Sequence, residues 1–201
     1  MANTNRPAGL VPVTTLSGSP WTGKGRQYYI ASTDANAYYP GDVVKLSGSG
    51  DASRGIPGIT LAAAGDPILG IFMAGGTFAD GAGYANPADL DIAYIPAAKT
   101  QAWYALIIDD PNVICEIQEN NGTLTAANIG QNANLVVAAP AAGVRVSGTQ
   151  LDDASVANTA TLQLKLLGLA RKPNNAFGTN AKWWVKINNH VYGAGTGTAG
   201  V

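Results

Sequence analysis

Glycine and proline break this chain into pieces too short for an ordinary helix. Twenty-five glycines and eleven prolines separate short runs of Val, Ile, Leu, Trp and Tyr. Apolar runs of that length between such breakers read as strands. Candidate strands are Gln27–Ile30, Asp42–Ser47, Ile68–Ala74, Leu90–Ile95, Trp103–Asp109, Val113–Glu119, Leu135–Ala138, Leu162–Ala170 and Lys182–Asn188. No segment keeps i, i+3, i+4, i+7 apolar spacing long enough to bury a helix against a sheet. The one helix candidate is short, near Thr125–Ile129, with Thr125 as N-cap and Gly130 as terminator. The chain is therefore predicted to be all-β.

Periodicity refines this. In ATLQLKLLGLA, Ala160, Leu162, Leu164 and Leu166 fall on one face, and Thr161, Gln163 and Lys165 on the other. That alternation predicts a half-exposed antiparallel strand. AWYALII is apolar on both faces, so it lies between layers or beneath another subunit. Asp110-Pro111-Asn112 suits a tight turn joining two strands into a hairpin. The expected fold is an antiparallel β-sandwich or jelly-roll-like domain over residues 26–192. Residues 1–25 hold Pro7, Pro12, Pro20 and four glycines around the apolar piece Leu10–Val13. They read as an extended N-terminal arm that orders on a partner. Residues 193–201 read as a Gly-rich, flexible C-terminal tail unless a neighbour pins them.

The chain is poor in reactive side chains. Charged residues make up 12% of it, with one histidine, His190, and one cysteine, Cys115. Catalysis and metal binding draw on clusters of such groups, so no catalytic residue, metal or cofactor is expected. The formal net charge is −1, and Arg171-Lys172 is the one adjacent basic pair. Direct nucleic-acid binding and attraction to an anionic membrane are therefore not expected. The opening MANTNRPAGLVPV is no secretory signal, and no apolar run approaches the ~18 residues of a membrane helix. Synthesis and folding in a cytoplasm are expected, and a lone cysteine forms no internal disulfide.

Local strings do not change this reading. Gly18–Lys24 matches G-x-x-x-x-G-K, but Gly25 follows where a phosphate loop needs Ser or Thr, and a strand follows where it needs a helix. Gly195-x-Gly197-x-x-Gly200 stands one residue from the end of the sequence, with no helix to receive a pyrophosphate. Cys115 shares a face with Val113 and Ile117, the core side, whereas His190 is in phase with Trp184, Lys186 and Asn188, the more polar side. The two are not expected to pair as nucleophile and base. Asp109-Asp110, Asp152-Asp153 and Asp89/Asp91 read as turn or cap residues, not as a glycosidase pair or a calcium site. Asn121-Gly122-Thr123 reads as a hairpin loop.

Aromatic residues come as adjacent pairs: Tyr28-Tyr29, Tyr38-Tyr39, Trp103-Tyr104 and Trp183-Trp184. In a strand, neighbours point to opposite faces, so one ring can fill the core while the other meets a partner. Trp and Tyr are enriched at interfaces. The candidate contact residues are Leu10, Val11, Val13, Trp21, Tyr28, Tyr29, Trp103, Tyr104, Trp183 and Trp184.

The segments NRPAGLVPV, GDVVK (Gly41–Lys45), DDPNVICEIQE (Asp109–Glu119), NIGQNANLV (Asn128–Val136), TLQLKLLGL (Thr161–Leu169) and NAKWWVKINNH (Asn180–His190) carry a resemblance. Taken in order, they make the chain similar to capsid decoration, or cement, proteins of tailed bacteriophages. The resemblance implies a β-rich protein on the outside of an icosahedral head. It implies bridging of major capsid subunits, stabilisation of the shell, and self-association there as a dimer or trimer. Rival readings are another virion component, of tail, baseplate or fibre, and a carbohydrate-binding module.

Overall fold

The computed structural model describes residues 3–76, 94–193, 197, 199 and 200. Twelve strands run in chain order: β1 (Val11–Thr15), β2 (Arg26–Ile30), β3 (Val43–Asp51), β4 (Ile56–Leu61), β5 (Gly70–Gly76), β6 (Trp103–Ile108), β7 (Val113–Gln118), β8 (Asn132–Ala133), β9 (Leu135–Val136), β10 (Gln150–Leu151), β11 (Leu164–Leu169) and β12 (Lys182–Ile187). Two single 3-10 turns, Ala126–Asn128 and Asp153–Ser155, are the only helical pieces among the described residues. The first sits where the sequence predicts a short helix. Thr125 caps it by accepting from the Ala127 N–H, and Gly130 leaves it with φ +90°.

The strands form a nearly all-antiparallel, sandwich-like arrangement. One layer is a five-stranded sheet in the order β1-β7-β12-β11-β8. The other closes on itself as a small barrel, β2-β4-β3-β5-β6. Its closing contact, Tyr29 with Gly58, is a parallel pair. β4 is absent from the sequence-based strand set because Pro57 and Gly58 read as breakers. Gly58 is needed where it stands, since a Cβ there would lie 2.4 Å from the Ser49 carbonyl oxygen. Asp110-Pro111-Asn112 forms the expected tight turn, but the strands it joins do not pair as the predicted hairpin: β6 stays in the barrel, between β2 and β5, and β7 crosses into the sheet, between β1 and β12.

Alternation within the barrel strands builds two cores. Val44, Leu69, Phe72 and Ile107 point into the barrel, with Tyr28, Tyr38 and Ile59. Their neighbours Val43, Ile68, Ile71 and Ile108 point outward and meet Cys115, Ile117, Leu164, Leu166, Trp183 and Val185 of the sheet. This explains the doubly apolar AWYALII: both of its faces are covered within the chain.

Several details depart from the sequence reading. The N-terminal stretch is extended but lies on the body. Leu10 is 0% exposed in the inter-layer core, and β1 pairs with β7. Asn3 Nδ2 donates to the carbonyl of Ala176 at 2.8 Å, the Arg6 N–H to Gln118 Oε1 at 2.8 Å, and the Leu10 N–H to Gly41 O at 3.0 Å. The glycines that suggest a free arm instead permit a tight crossing. A Cβ on Gly41, at φ +93°, would lie 2.1 Å from the Ala8 carbonyl oxygen. Gln163, assigned to a solvent face, is fully buried, because its amide joins three segments. Its Nε2 donates to Ala63 O (2.8 Å) and Asp66 O (2.9 Å), and its Oε1 accepts from the Leu135 N–H (3.1 Å). His190 is buried, not on an exposed polar face. The chain turns after β12, and Ile68 bridges to it. The candidate strand Leu90–Ile95 falls mostly outside the described residues; Ile95 itself bridges to Tyr38. Of the tail, Gly200 donates its N–H to Asn158 O (2.9 Å) and Ala199 O accepts from Lys165 Nζ (2.7 Å).

Candidate contact surfaces

Each aromatic pair divides between inside and outside. Tyr28, Tyr38, Tyr104 and Trp183 are buried, while Tyr29, Tyr39, Trp103 and Trp184 are half-buried. Leu10, Tyr28, Tyr104 and Trp183 are therefore core residues and are corrected as contact candidates. Their polar tips are also satisfied internally or enclosed. Tyr28 donates to Asp109 Oδ2 at 2.7 Å and Tyr104 to Asp51 Oδ2 at 2.6 Å, and the Trp183 indole nitrogen is enclosed. Trp21 is half-buried and packs against the inter-layer core. Trp103 packs against the barrel core. Tyr29 meets Tyr104 edge-on, and the Arg171 guanidinium lies 5.9 Å above Trp184.

The strongest outward-facing apolar feature is on β1. Val11 is 41% exposed, Val13 38%, and Leu16, beyond the strand, 48%. Leu16 is not among the sequence candidates, although it follows the same apolar run. The strip offers side chains more than backbone. Pro12 supplies no N–H, and the register slips at Val13. Thr15 N–H is taken by Ser19 O, and Thr14 bridges to Pro20. Proline and a bulge are devices that blunt a sheet edge against strand addition.

A second apolar surface follows β9. Val137 and Val144 are exposed, and two adjoining grooves of about 620 and 300 Å³ run beside Val137. Both include Leu61 and Asn36, with alanines on either side, and their ionisable lining residues are Asp152 and Asp42. The loop carrying this ridge is held in place. Ser147 N–H donates to Pro40 O at 2.9 Å. The Arg145 guanidinium lies 3.9 Å over Tyr94, whose ring stacks on Tyr39 at 5.3 Å with planes 4° apart. Sheet order places β1 at one edge and β8 at the other. β8 leads through Asn134 directly into β9 and the ridge. Four inter-strand steps of about 4.8 Å separate those edges by roughly 19 Å.

Ionisable groups mostly hold the body together. Asp153 accepts from Thr123 Oγ1 (2.7 Å), Thr123 N–H (3.0 Å) and Asn121 Nδ2 (2.8 Å). Glu116 pairs with Lys172 at 2.7 Å and Lys182 at 3.6 Å. Lys99, with a fully buried side chain, donates to Asp34 O (2.7 Å) and Asn36 O (2.5 Å). Cys115 is buried among apolar side chains, and burial pushes its thiol pKa up, which suits a packing role. The His190 Nδ1 accepts from the Tyr192 N–H at 2.9 Å, and burial lowers its pKa. A cleft of about 580 Å³ between Lys24, Arg26, Asp109, Asp110 and Tyr192 balances two cations against two carboxylates. Among the described residues, no group of three or more His, Cys, Asp or Glu is placed to hold a metal ion. Asp89 and Asp91 lie outside the described residues.

No protein-family model, curated protein or solved structure matches this chain.

Proposed function

We propose that the chain is a virion structural protein that works by contact: a decoration, or cement, protein on the outside of a tailed-bacteriophage head, bridging major capsid subunits. One observation carries the reading. Two sets of exposed apolar side chains, Val11, Val13 and Leu16 along and just beyond β1 and Val137 and Val144 after β9, are carried by different segments of one body. A body with two separated apolar surfaces can touch two neighbours at once. Exposed apolar groups of this kind favour association by roughly 25 cal/mol for each Å² they lose to a partner. Each such contact is small. Repetition over a lattice converts weak single contacts into avidity, and a ligand that binds only the assembled lattice stabilises it by linkage. The resemblance in segment order to decoration proteins agrees with this, and supplies the identity of the lattice.

The test is location and occupancy. A side-chain-resolution map of virions of the encoding phage is expected to show the chain outside the shell, with β1 against one capsid subunit and the ridge against another. A position in the tail, baseplate or fibre contradicts the proposal. So does specific glycan binding by the soluble chain with no shell occupancy.

A further inference from the structure

Glu119 closes β7 at a junction of three segments. Its N–H donates to Ala181 O at 2.9 Å, its carbonyl accepts from Gln150 Nε2 at 3.2 Å, and it bridges to Leu151 of β10. The backbone is therefore fixed, and the residue has 0% exposure. Neither carboxyl oxygen completes a hydrogen bond, and neither does the enclosed Trp183 indole nitrogen. An ionised carboxylate in such a place is costly, and the neutral acid is the cheaper form.

The groups packed around the carboxyl determine the consequence of losing its proton. Ala181, just before β12, and Trp183, within it, are both uncharged. Loop 120–125 presents the Leu124 N–H. These N–H groups favour charge on Glu119, but none completes a hydrogen bond to it. The turn after β10 presents Asp153, the charged group that acts on Glu119. Asp153 is the anchor of the same loop, through Asn121 and Thr123. Burial, with Asp153 adding to it, pushes the Glu119 pKa up to about 7.

We propose that Glu119 is a proton-operated latch on loop 120–125. With its carboxyl neutral, the loop stays seated on β10 and on Asp153. Loss of the proton sets a second negative charge beside Asp153 in an apolar site, and the cheapest relief is for the loop to part and admit water. This device is independent of the capsid role proposed above.

Amide hydrogen exchange of the full chain tests it. The reporters are Asn120, whose N–H donates to Leu151 O, and Thr123, whose N–H donates to Asp153. From about pH 5.5 to about pH 8.5, protection at these amides, corrected for intrinsic exchange, is expected to fall about tenfold or more. In Glu119→Gln, a neutral isostere, the low-pH protection is expected to persist throughout. Equal pH profiles in the two proteins, or no change in the wild type, overturn the proposal. The wild type gives a second readout if the variant does not fold: the carboxyl carbon of Glu119 followed by NMR. A midpoint near 7 with a concerted Thr123 amide shift supports the latch. A midpoint at the ordinary glutamate value overturns it.

Discussion

Single side chains at polar junctions decide much of this molecule's stability. Gln163 is the clearest case, since one buried amide satisfies two carbonyls and one N–H from two other segments. Gln163→Leu keeps the volume but removes all three bonds, and of the two carbonyls only Ala63 O keeps a further donor, the Asp66 N–H. It is expected to cost about 2–4 kcal/mol, read as a lower urea midpoint at unchanged slope; an unshifted midpoint contradicts the assignment. Carboxylates give a pH profile with two limbs. The Tyr104 hydroxyl lowers Asp51 and the Lys45 ammonium lowers Asp66. For Asp153, burial pushes the value up, but the Thr123 and Asn121 donors outweigh it. A depressed folded pKa means that the unfolded chain binds protons first. This stability is present above the unfolded value, near 3.8, and is lost as pH falls through the folded values. Glu119 has the opposite sign. Its contribution is complete below about 4.5 and is lost as pH rises through about 7. The buried His190 acts against Glu119, adding stability as pH rises to its unfolded value near 6.5; comparison with Glu119→Gln isolates the carboxyl, and melting temperature between about pH 4.5 and 8 is expected to fall more with rising pH in the wild type than in the variant. A profile that keeps rising through pH 8 in the wild type contradicts the Glu119 assignment.

Among the elements, β1 and the segment before it carry a sharp expectation. Removing residues 3–15 deletes an edge strand and the buried Leu10, and leaves the β7 edge bare. The truncated chain is expected to lose cooperative melting; a melt within a few degrees of the full chain contradicts the packing of this segment on the body. Gly41→Ala is the gentler version, forcing a Cβ against Ala8 O at a positive φ. Its cost is expected to be on the order of 2–3 kcal/mol, measured by denaturant unfolding. The same segment shows what the sequence makes legible. Strand positions are readable because apolar runs bounded by turn residues have a local cause. The tight turn after β6, the capped 3-10 turn and the inside-outside split of the aromatic pairs are readable for the same reason, whereas the parting of β6 and β7 into different sheets, where a hairpin is predicted, is not. Barrel closure is not, because it depends on Tyr29 meeting Gly58 across the chain, and glycine at such a contact looks like a breaker. Leu10 is misplaced for a related reason: Pro and Gly around it signal freedom locally, while their use is to let two backbones cross. Gln163 and His190 look like surface residues because burial of a polar group is decided by partners far away in sequence. The contact surfaces are half legible. Val11 and Val13 stand out in the N-terminal run, but the Val137-Val144 ridge needs the folded loop and its Arg145-Tyr94-Tyr39 stack.

For the molecule as a whole, clamping requires that both apolar surfaces act together. Val137→Asp lies at an exposed position and is expected to leave stability within about 0.5 kcal/mol, whereas Val11→Asp, also exposed, faces Glu116 across the β1–β7 ladder and is expected to cost somewhat more. Each is also expected to cut shell occupancy, because avidity fails when one of two contacts is lost. The most direct measurement of the proposed capsid role is the temperature at which DNA-filled phage heads rupture, followed by calorimetry with and without the chain. Heads that carry it are expected to rupture at a higher temperature, and heads offered the Val11→Asp, Val137→Asp double variant to rupture where bare heads do. Equal rupture temperatures with and without the chain would contradict the claim that it acts by clamping a lattice.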